Sequence, residues 1–240
     1  MKAIIFNSGL GNRMGDLTQH QHKSMTRLLS GETIFHRQLR LLSEAGIRDF
    51  IITTGPFEEQ LKQEAADFPQ LNFTFVRNPI YDRTNYIYSM YLAREHMDDD
   101  LVFLHGDLVF DRRLVLDVLG SDLPDLATVN FKKALPEKDF KGRIRDGRLQ
   151  EVSIHIFDED CFAFQPFYKL SRTTVQAWLG EVERFIARGE DKCYAENAFN
   201  QLLPRLDVRA FSYEGYYIDE IDNLDDYHRV SREILPFDEA

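Results

Sequence analysis

Glycines at 9, 11 and 15, with Arg13 among them and Lys23 a little beyond, are the residues of this chain whose types and spacing suit phosphate chemistry. They follow the apolar run Ala3-Ile4-Ile5-Phe6, which reads as a buried strand delivering Asn7-Ser8-Gly9-Leu10-Gly11-Asn12-Arg13-Met14-Gly15 as a loop. Glycines let a backbone turn sharply and approach a ligand, and successive free N–H groups form a concavity for phosphate oxygens. Arg13 and Lys23 add two cations that can neutralise a polyphosphate.

Two familiar phosphate motifs do not fit. A dinucleotide fingerprint needs G-x-G-x-x-G running into a helix and an acidic residue about 20 residues further on. Here the third glycine comes one residue late, polar residues follow, and the next strand ends Thr53-Thr54-Gly55 without a carboxylate. A P-loop needs glycine immediately before its lysine, and His22 stands there.

Carboxylates complete the set. Leu101-Val102-Phe103-Leu104 is a continuous apolar run, expected to be a central strand buried on both faces, and it ends at His105-Gly106-Asp107. Asp107 then sits at the mouth of the sheet, on the side of the glycine loop if the two strands are parallel. Ile218-Asp219-Glu220-Ile221-Asp222 is a second source. Magnesium held by one or two carboxylates plus substrate phosphates is the usual arrangement in phosphoryl chemistry. Taken singly these signals are weak: a glycine-rich loop is more often a tight turn, Asp107 could cap a turn, and the acids around Asp222 read as a solvated edge. Arg13, Lys23 and Asp107 together reverse that balance. His20 and His22 read as solvated loop residues, because no third metal ligand has recognisable spacing.

The elements that must position these groups follow from periodicity. Residues 33–45, 58–68, 112–119, 171–187 and 195–203 carry apolar residues at helical spacing, and a closing helix begins at Leu224. Residues 50–54, 73–76, 126–131, 161–165, 208–213 and 216–221 read as strands, and the tyrosine-rich stretch 80–94 as a turn leading into a helix with Asn85 near its start. Strand and helix alternate, which predicts an α/β fold, a mostly parallel, Rossmann-like layered sheet flanked by helices. Asp146-Gly147 is a hairpin signal, so residues 132–160 are expected to be a small antiparallel insert. Asp139 and Lys141 in that insert, with Tyr194 and Glu196 beyond Cys193, are the natural places for contacts to a second ligand beside the phosphate loop.

Composition sets limits. A 240-residue chain that is 43% hydrophobic can bury one sizeable core, so a single domain over 1–240 is expected. A formal charge of −11 argues against nucleic acid as a partner. Two cysteines, Cys161 and Cys193, suit a reducing compartment, and the absence of a signal-peptide or membrane-span pattern leads to the expectation of a cytoplasmic protein with no membrane partner. A homo-oligomer is left open.

The pattern G-x-G-x-R-M, then Thr18, Lys23 and Gly31-Glu32-Thr33-Ile34, resembles the N-terminal signature of nucleotidyltransferases that activate sugar 1-phosphates and phosphocholine. That signature commonly reads Leu-Ala-Ala-Gly-x-Gly-x-Arg-Met followed by Pro-Lys; here Phe6-Asn7-Ser8-Gly9 and His22-Lys23 depart from it. Asn78-Pro79-Ile80-Tyr81-Asp82, Asn85-Tyr86-Ile87-Tyr88-Ser89-Met90-Tyr91-Leu92 and Tyr217-Ile218-Asp219-Glu220-Ile221-Asp222 are most similar to bacterial phosphocholine cytidylyltransferases. The resemblance implies a nucleotide-diphospho-sugar transferase-like fold and Mg²⁺ held by Asp107 and Asp222. It also implies transfer of CMP from CTP to a small phosphorylated amino alcohol, with pyrophosphate released. Arg13 and the loop amides of Gly9 and Gly11 would hold the β and γ phosphates, Lys23 would bridge the α-phosphate and acceptor, and Ser8, Asn85 and Ser89 would contact base and ribose. A sugar 1-phosphate or aminoalkylphosphonate acceptor, and a non-catalytic nucleotide-binding protein, are the alternatives.

Overall fold

The computed structural model describes residues 1–9 and 11–238; Leu10, in the glycine-rich loop, lies outside them. Strands β1 (Lys2–Asn7), β2 (Asp49–Thr54), β3 (Asn72–Arg77) and β4 (Leu101–His105) alternate with helices α1 (Ile34–Glu44), α2 (Glu58–Ala65) and α3 (Tyr86–Ala93). A short β5 (Leu108–Phe110), α4 (Arg112–Gly120) and β6 (Leu126–Asn130) follow, then the hairpin β7 (Lys141–Arg145) and β8 (Arg148–Ser153) and the long β9 (Cys161–Leu170). Helices α5 (Arg172–Ala187) and α6 (Ala195–Phe199), strands β10 (Arg209–Ser212) and β11 (Ile218–Glu220), and helices α7 (Leu224–Glu233) and α8 (Leu235–Asp238) complete the order.

The main sheet runs β3-β2-β1-β4-β9-β6-β10-β8-β7, with β7 also paired to β9. β1 is parallel to both β2 and β4, β2 to β3, and β10 to β6. The sheet is more mixed than strand and helix alternation predicts, because β9 is antiparallel to both β4 and β6. The β7–β8 hairpin is the reason: it returns the chain to the end of the sheet from which β9 must run backwards. Within residues 132–160, expected as a small antiparallel insert, β7 and β8 form an antiparallel hairpin that joins the main sheet through β9 and β10.

Each face of the sheet buries its own apolar cluster. On one side Trp178 of α5 stacks on Phe199 of α6 with ring centroids 4.1 Å apart and on Phe103 of β4 at 4.8 Å. On the other, α1 and α4 cover Ile5, Phe50, Leu104 and Phe110. β4 contributes to both clusters through alternate residues, which is what its unbroken apolar run encodes.

This topology fixes where a ligand can sit. Chain order reverses between β1 and β4, and ligands of open α/β sheets bind outside the strand carboxyl ends at such a switch. Phe6 lies opposite His105 in that parallel pair, so the glycine loop and Asp107 leave the sheet side by side. The C-terminal acids are brought to the same place by β5, which sequence periodicity did not show. β11 pairs antiparallel with it, Asp111 accepts the Tyr217 amide at 2.7 Å, and the Ile221 amide donates to the Asp107 carbonyl at 3.1 Å.

Close packing behind Asp107 makes Gly106 sensitive. A Cβ there would overlap the Asn7 side chain and lie 2.9 Å from the Phe6 carbonyl oxygen. Gly106→Ala is therefore expected to lower stability by about 1–3 kcal/mol, read as an earlier urea midpoint at unchanged slope; an unshifted midpoint would show that this contact relaxes freely.

Candidate active site

The glycine loop is built against the residues it serves. Gly11 adopts the left-handed conformation (φ 65°, ψ 33°), and a Cβ on it would come within 2.8 Å of the Lys23 Cβ. The loop therefore packs on the aliphatic stem of Lys23, whose buried ammonium reaches beyond it. There it donates to Asp107 Oδ2 at 2.8 Å and to Asp222 Oδ1 at 2.7 Å. Exposed Arg13 approaches the other Asp222 oxygen at 2.9 Å. Burial pulls the Lys23 pKa down, but the adjacent Asp107 and Asp222 carboxylates more than offset it and hold the ammonium above the ordinary lysine value. For Asp107, burial pushes upward, but the Lys23 charge and hydrogen bond together with His105 and a backbone hydrogen bond outweigh it, keeping the carboxyl below its usual range.

These groups line a cleft of about 390 Å³ together with Gly9, Asn85, Asp139, Tyr194 and Glu220. Ligand oxygens of Asp139, Glu220 and Asp222 lie within 4.8 Å of one another. Burial, and then the charges of Asp107, Asp222 and Asp139, raise the Glu220 carboxyl well above its ordinary pKa. Burial, then Asp222, likewise raises Asp139. Oxygen-only donors converging in this way suit a hard cation, and Asp107 Oδ1 is buried with no hydrogen-bond partner among the described residues. The residues present fit a divalent metal.

A side pocket of about 200 Å³ opens from the cleft, lined by Ser8, Gly9, Asn78, Asn85 and Ser89 among others. Its polar wall is a directed chain. Asn78 Nδ2 donates to Ser89 Oγ, Ser89 Oγ to Ser8 Oγ, and Ser8 Oγ to Thr53 Oγ1, each at 3.0 Å. Asn85 caps α3, its side chain accepting the Tyr86 amide at 2.7 Å.

Thus Ser8, Gly9, Gly11, Arg13, Lys23, Asn85, Ser89, Asp107, Asp139, Tyr194 and Asp222 all line one or other of these connected spaces. Two sequence candidates do not. Lys141 is fully buried and donates to the Pro136 carbonyl at 2.9 Å, with its ammonium over the Phe157 ring; it folds the 132–140 loop rather than facing the cleft. Glu196 is buried beneath the floor, accepting the hydroxyls of Tyr86 and Tyr168. Asp107 and Asp222, expected to share a metal, are bridged in this structure by Lys23, and Glu220 joins the acids. Glu220 was hidden because β11 alternation, with Asp219 turned the other way onto Lys133 and Arg229, cannot be read from an acidic run. His20 is exposed as expected, but His22 is 4% exposed. Its amide donates to Gln60 Oε1 at 2.9 Å, and Gln60 also holds the His20 carbonyl, so α2 draws this stretch inward.

Comparison with known proteins agrees with the geometry. The family model described as a MobA-like NTP transferase domain matches residues 3–133. The choline-phosphate cytidylyltransferase of Haemophilus influenzae is 27% identical over 245 residues, 98% of each chain. The CMP-5'-(3-aminopropyl)phosphonate synthase of Streptomyces rubellomurinus is 30% identical over 112 residues, 46% of this chain and 18% of that one. Among solved structures, the CTP:phosphocholine cytidylyltransferase from Streptococcus pneumoniae superposes with a TM-score of 0.83 at 22% identity, covering 97% of this chain and 98% of that one. Among the described residues, no helix is long and apolar enough to cross a membrane.

Glu220 offers a test of the acid cluster. With its pKa raised in the folded state, the folded protein holds a proton that the unfolded chain releases above the ordinary glutamate value of 4.5. Stability is then lost as pH rises from there through the folded pKa. Glu220→Gln is expected to raise the thermal midpoint at pH 7.5 in metal-free buffer, with the gain shrinking toward pH 4.5; an equal or lower midpoint at pH 7.5 would contradict the crowding of these acids.

Proposed function

The chain belongs to the MobA-like NTP transferase domain family, and from that premise we propose that it transfers CMP from CTP to the phosphate of a small phosphorylated amino alcohol such as phosphocholine, releasing pyrophosphate. The observation that carries this reading is the Lys23 ammonium 2.8 and 2.7 Å from Asp107 and Asp222, at the mouth of the glycine loop. Simple nucleotide binding has no need of all three. We further read residues 1–240 as one nucleotidyltransferase domain, with the 132–160 insert on the acceptor side.

An acceptor phosphate is already ionised at neutral pH, so no strong general base is required. Catalysis rests on bringing two anions into line and stabilising charge on the α-phosphate and leaving pyrophosphate. In this reading the glycine-loop amides and Arg13 hold the β and γ phosphates, and Lys23 moves from its carboxylates to the α-phosphate and acceptor. Asp107 and Asp222, joined by Glu220 and Asp139, would hold magnesium. When bound, that ion would neutralise charge on the phosphates.

The side pocket supports cytosine. Each hydroxyl hydrogen of Ser89 and Ser8 is committed along the chain from Asn78 to Thr53, so what these oxygens still offer is lone pairs. Lone pairs accept from the exocyclic amine of cytosine and repel the corresponding carbonyl of uracil. On the acceptor side the Tyr194 ring meets Phe140 at 4.9 Å, beside Asp139. Aromatic faces with a carboxylate favour a quaternary or primary ammonium. The similarity to an aminopropylphosphonate-activating enzyme makes an aminoalkylphosphonate the second reading, since it presents the same two charges.

Incubation with each NTP, Mg²⁺ and a panel of phosphocholine, phosphoethanolamine, aminoalkylphosphonates and sugar 1-phosphates, with pyrophosphate measured, tests the proposal. Release is expected with CTP and an amino-alcohol phosphate, and no release with any pair would defeat it. Lys23→Ala and Asp107→Asn are each expected to lower kcat roughly 10²–10³-fold with the fold intact; near-normal rates in both would mean that the chemistry lies elsewhere. Ser89→Ala is expected to reduce the preference for CTP over UTP, measured as the ratio of kcat/KM values, and an unchanged ratio would remove this chain from base selection.

A further inference from the structure

His22 immediately precedes Lys23, and together they form the platform on which the glycine loop rests. The Lys23 stem packs under Gly11, while the His22 ring faces the backbone carbonyls of Asn7 and Gly9. The Ser24 amide sets the tautomer of that ring. The Ser24 amide donates to Nδ1 at 3.1 Å, and the Ser24 hydroxyl lies 2.7 Å from the same nitrogen. A neutral imidazole with an accepting Nδ1 carries its hydrogen on Nε2. Burial, and then the neighbouring Lys23 charge, lowers the His22 pKa to about 4, so the ring is neutral near pH 7. Yet Nε2 is buried without an aligned hydrogen bond among the described residues.

A buried donor close to carbonyls but out of line for a good hydrogen bond is a costly arrangement unless another state of the loop completes it. The loop needs such a partner for a physical reason. Peptides flanked by glycine turn over readily, because glycine tolerates both signs of φ. A peptide turned the wrong way presents its carbonyl, not its N–H, to a phosphate. A donor fixed behind the loop selects one orientation.

We propose that His22 is a positioning residue for the glycine loop: its Nε2–H bonds a loop carbonyl when the triphosphate enters, keeping carbonyls on the protein side and N–H groups on the cleft side. This rests on the reading of the cleft as a nucleoside triphosphate site. The sequence places His22 where the resembling signature carries proline, which has no side-chain donor, so the device belongs to this chain.

Two substitutions separate donor from bulk. The amide nitrogen of His22→Gln reaches toward the Nε2 position, whereas His22→Asn keeps a polar group near Nδ1 and has none at Nε2. In pyrophosphate-release assays with Mg²⁺, His22→Asn is expected to raise KM for CTP roughly five- to tenfold, the worth of one hydrogen bond. KM for the acceptor should stay unchanged, and His22→Gln should remain near the parent. His22→Asn matching the parent, or His22→Gln failing as badly as His22→Asn, overturns the proposal. Imidazole ¹⁵N spectra of the unsubstituted protein supply a reading free of folding defects and of turnover. The His22 signals should report hydrogen on Nε2, and the Nε2 resonance should move when CTP and Mg²⁺ are added. Hydrogen on Nδ1, or an Nε2 resonance indifferent to CTP, overturns it. If no NTP yields pyrophosphate, the proposed reaction fails, while the nitrogen spectra still decide the brace.

Discussion

Lys23 sits 84 residues from Asp107 and 199 from Asp222 in the chain, and its ammonium holds both carboxylates at hydrogen-bond distance. That one cation joins the loop after β1, the end of β4 and the segment after β11. Removing two carboxylates and an ammonium from water costs much of what their attraction returns, so a buried ion pair is weak evidence for stability. The arrangement is better understood as a poised charge set. An ammonium shared by two acids can be drawn toward a phosphate without ever lying unpaired in a buried site.

The rest of the molecule keeps those three segments in register. The parallel pairing of β1 and β4 aligns Phe6 with His105 and so brings the loop beside Asp107. Asp111 does two jobs at once: it caps α4 by accepting the Leu114 amide at 2.8 Å and secures Tyr217 at the start of β11. Moving that cap would shift Glu220 and Asp222 together, since both leave the same short strand. The hydroxyl chain of the side pocket is anchored in the same way, from Asn78 at the end of β3 to Thr53 within β2.

What could be read from sequence depended on whether local pattern or distant packing decides the outcome. Asp107 was legible because an apolar run buried on both faces admits only a central strand, and the residues after it must lie at the sheet mouth. Asn85 was legible as lying near a helix start, and the Asp146-Gly147 turn as a hairpin. The direction of β9 was not, because nothing in its own residues records which way the preceding hairpin turns it. Lys141 and Glu196 were chosen by topology alone, and a position on the right element says nothing of side-chain direction: one is drawn to the Pro136 carbonyl and the other to two tyrosine hydroxyls. His22 passed for a solvated loop residue because its burial is imposed by Gln60, on a helix 38 residues further along.

The charges of the cleft constrain what it can accept. Carboxyl groups of Asp107, Asp139, Glu220 and Asp222 face Arg13, Lys23 and Lys138, so the lining has no positive surplus. A nucleoside triphosphate brings several negative charges into this space, and loop amides supply only partial charges against them. Entry of the triphosphate under the proposed reaction is therefore tied to entry of a cation, for which the crowded acids are the natural seat. The second substrate meets the same constraint from the other side. An acceptor whose phosphate is accompanied by its own ammonium adds little net charge and offers that ammonium to Asp139 and the Tyr194 ring, whereas a sugar phosphate would add anion alone.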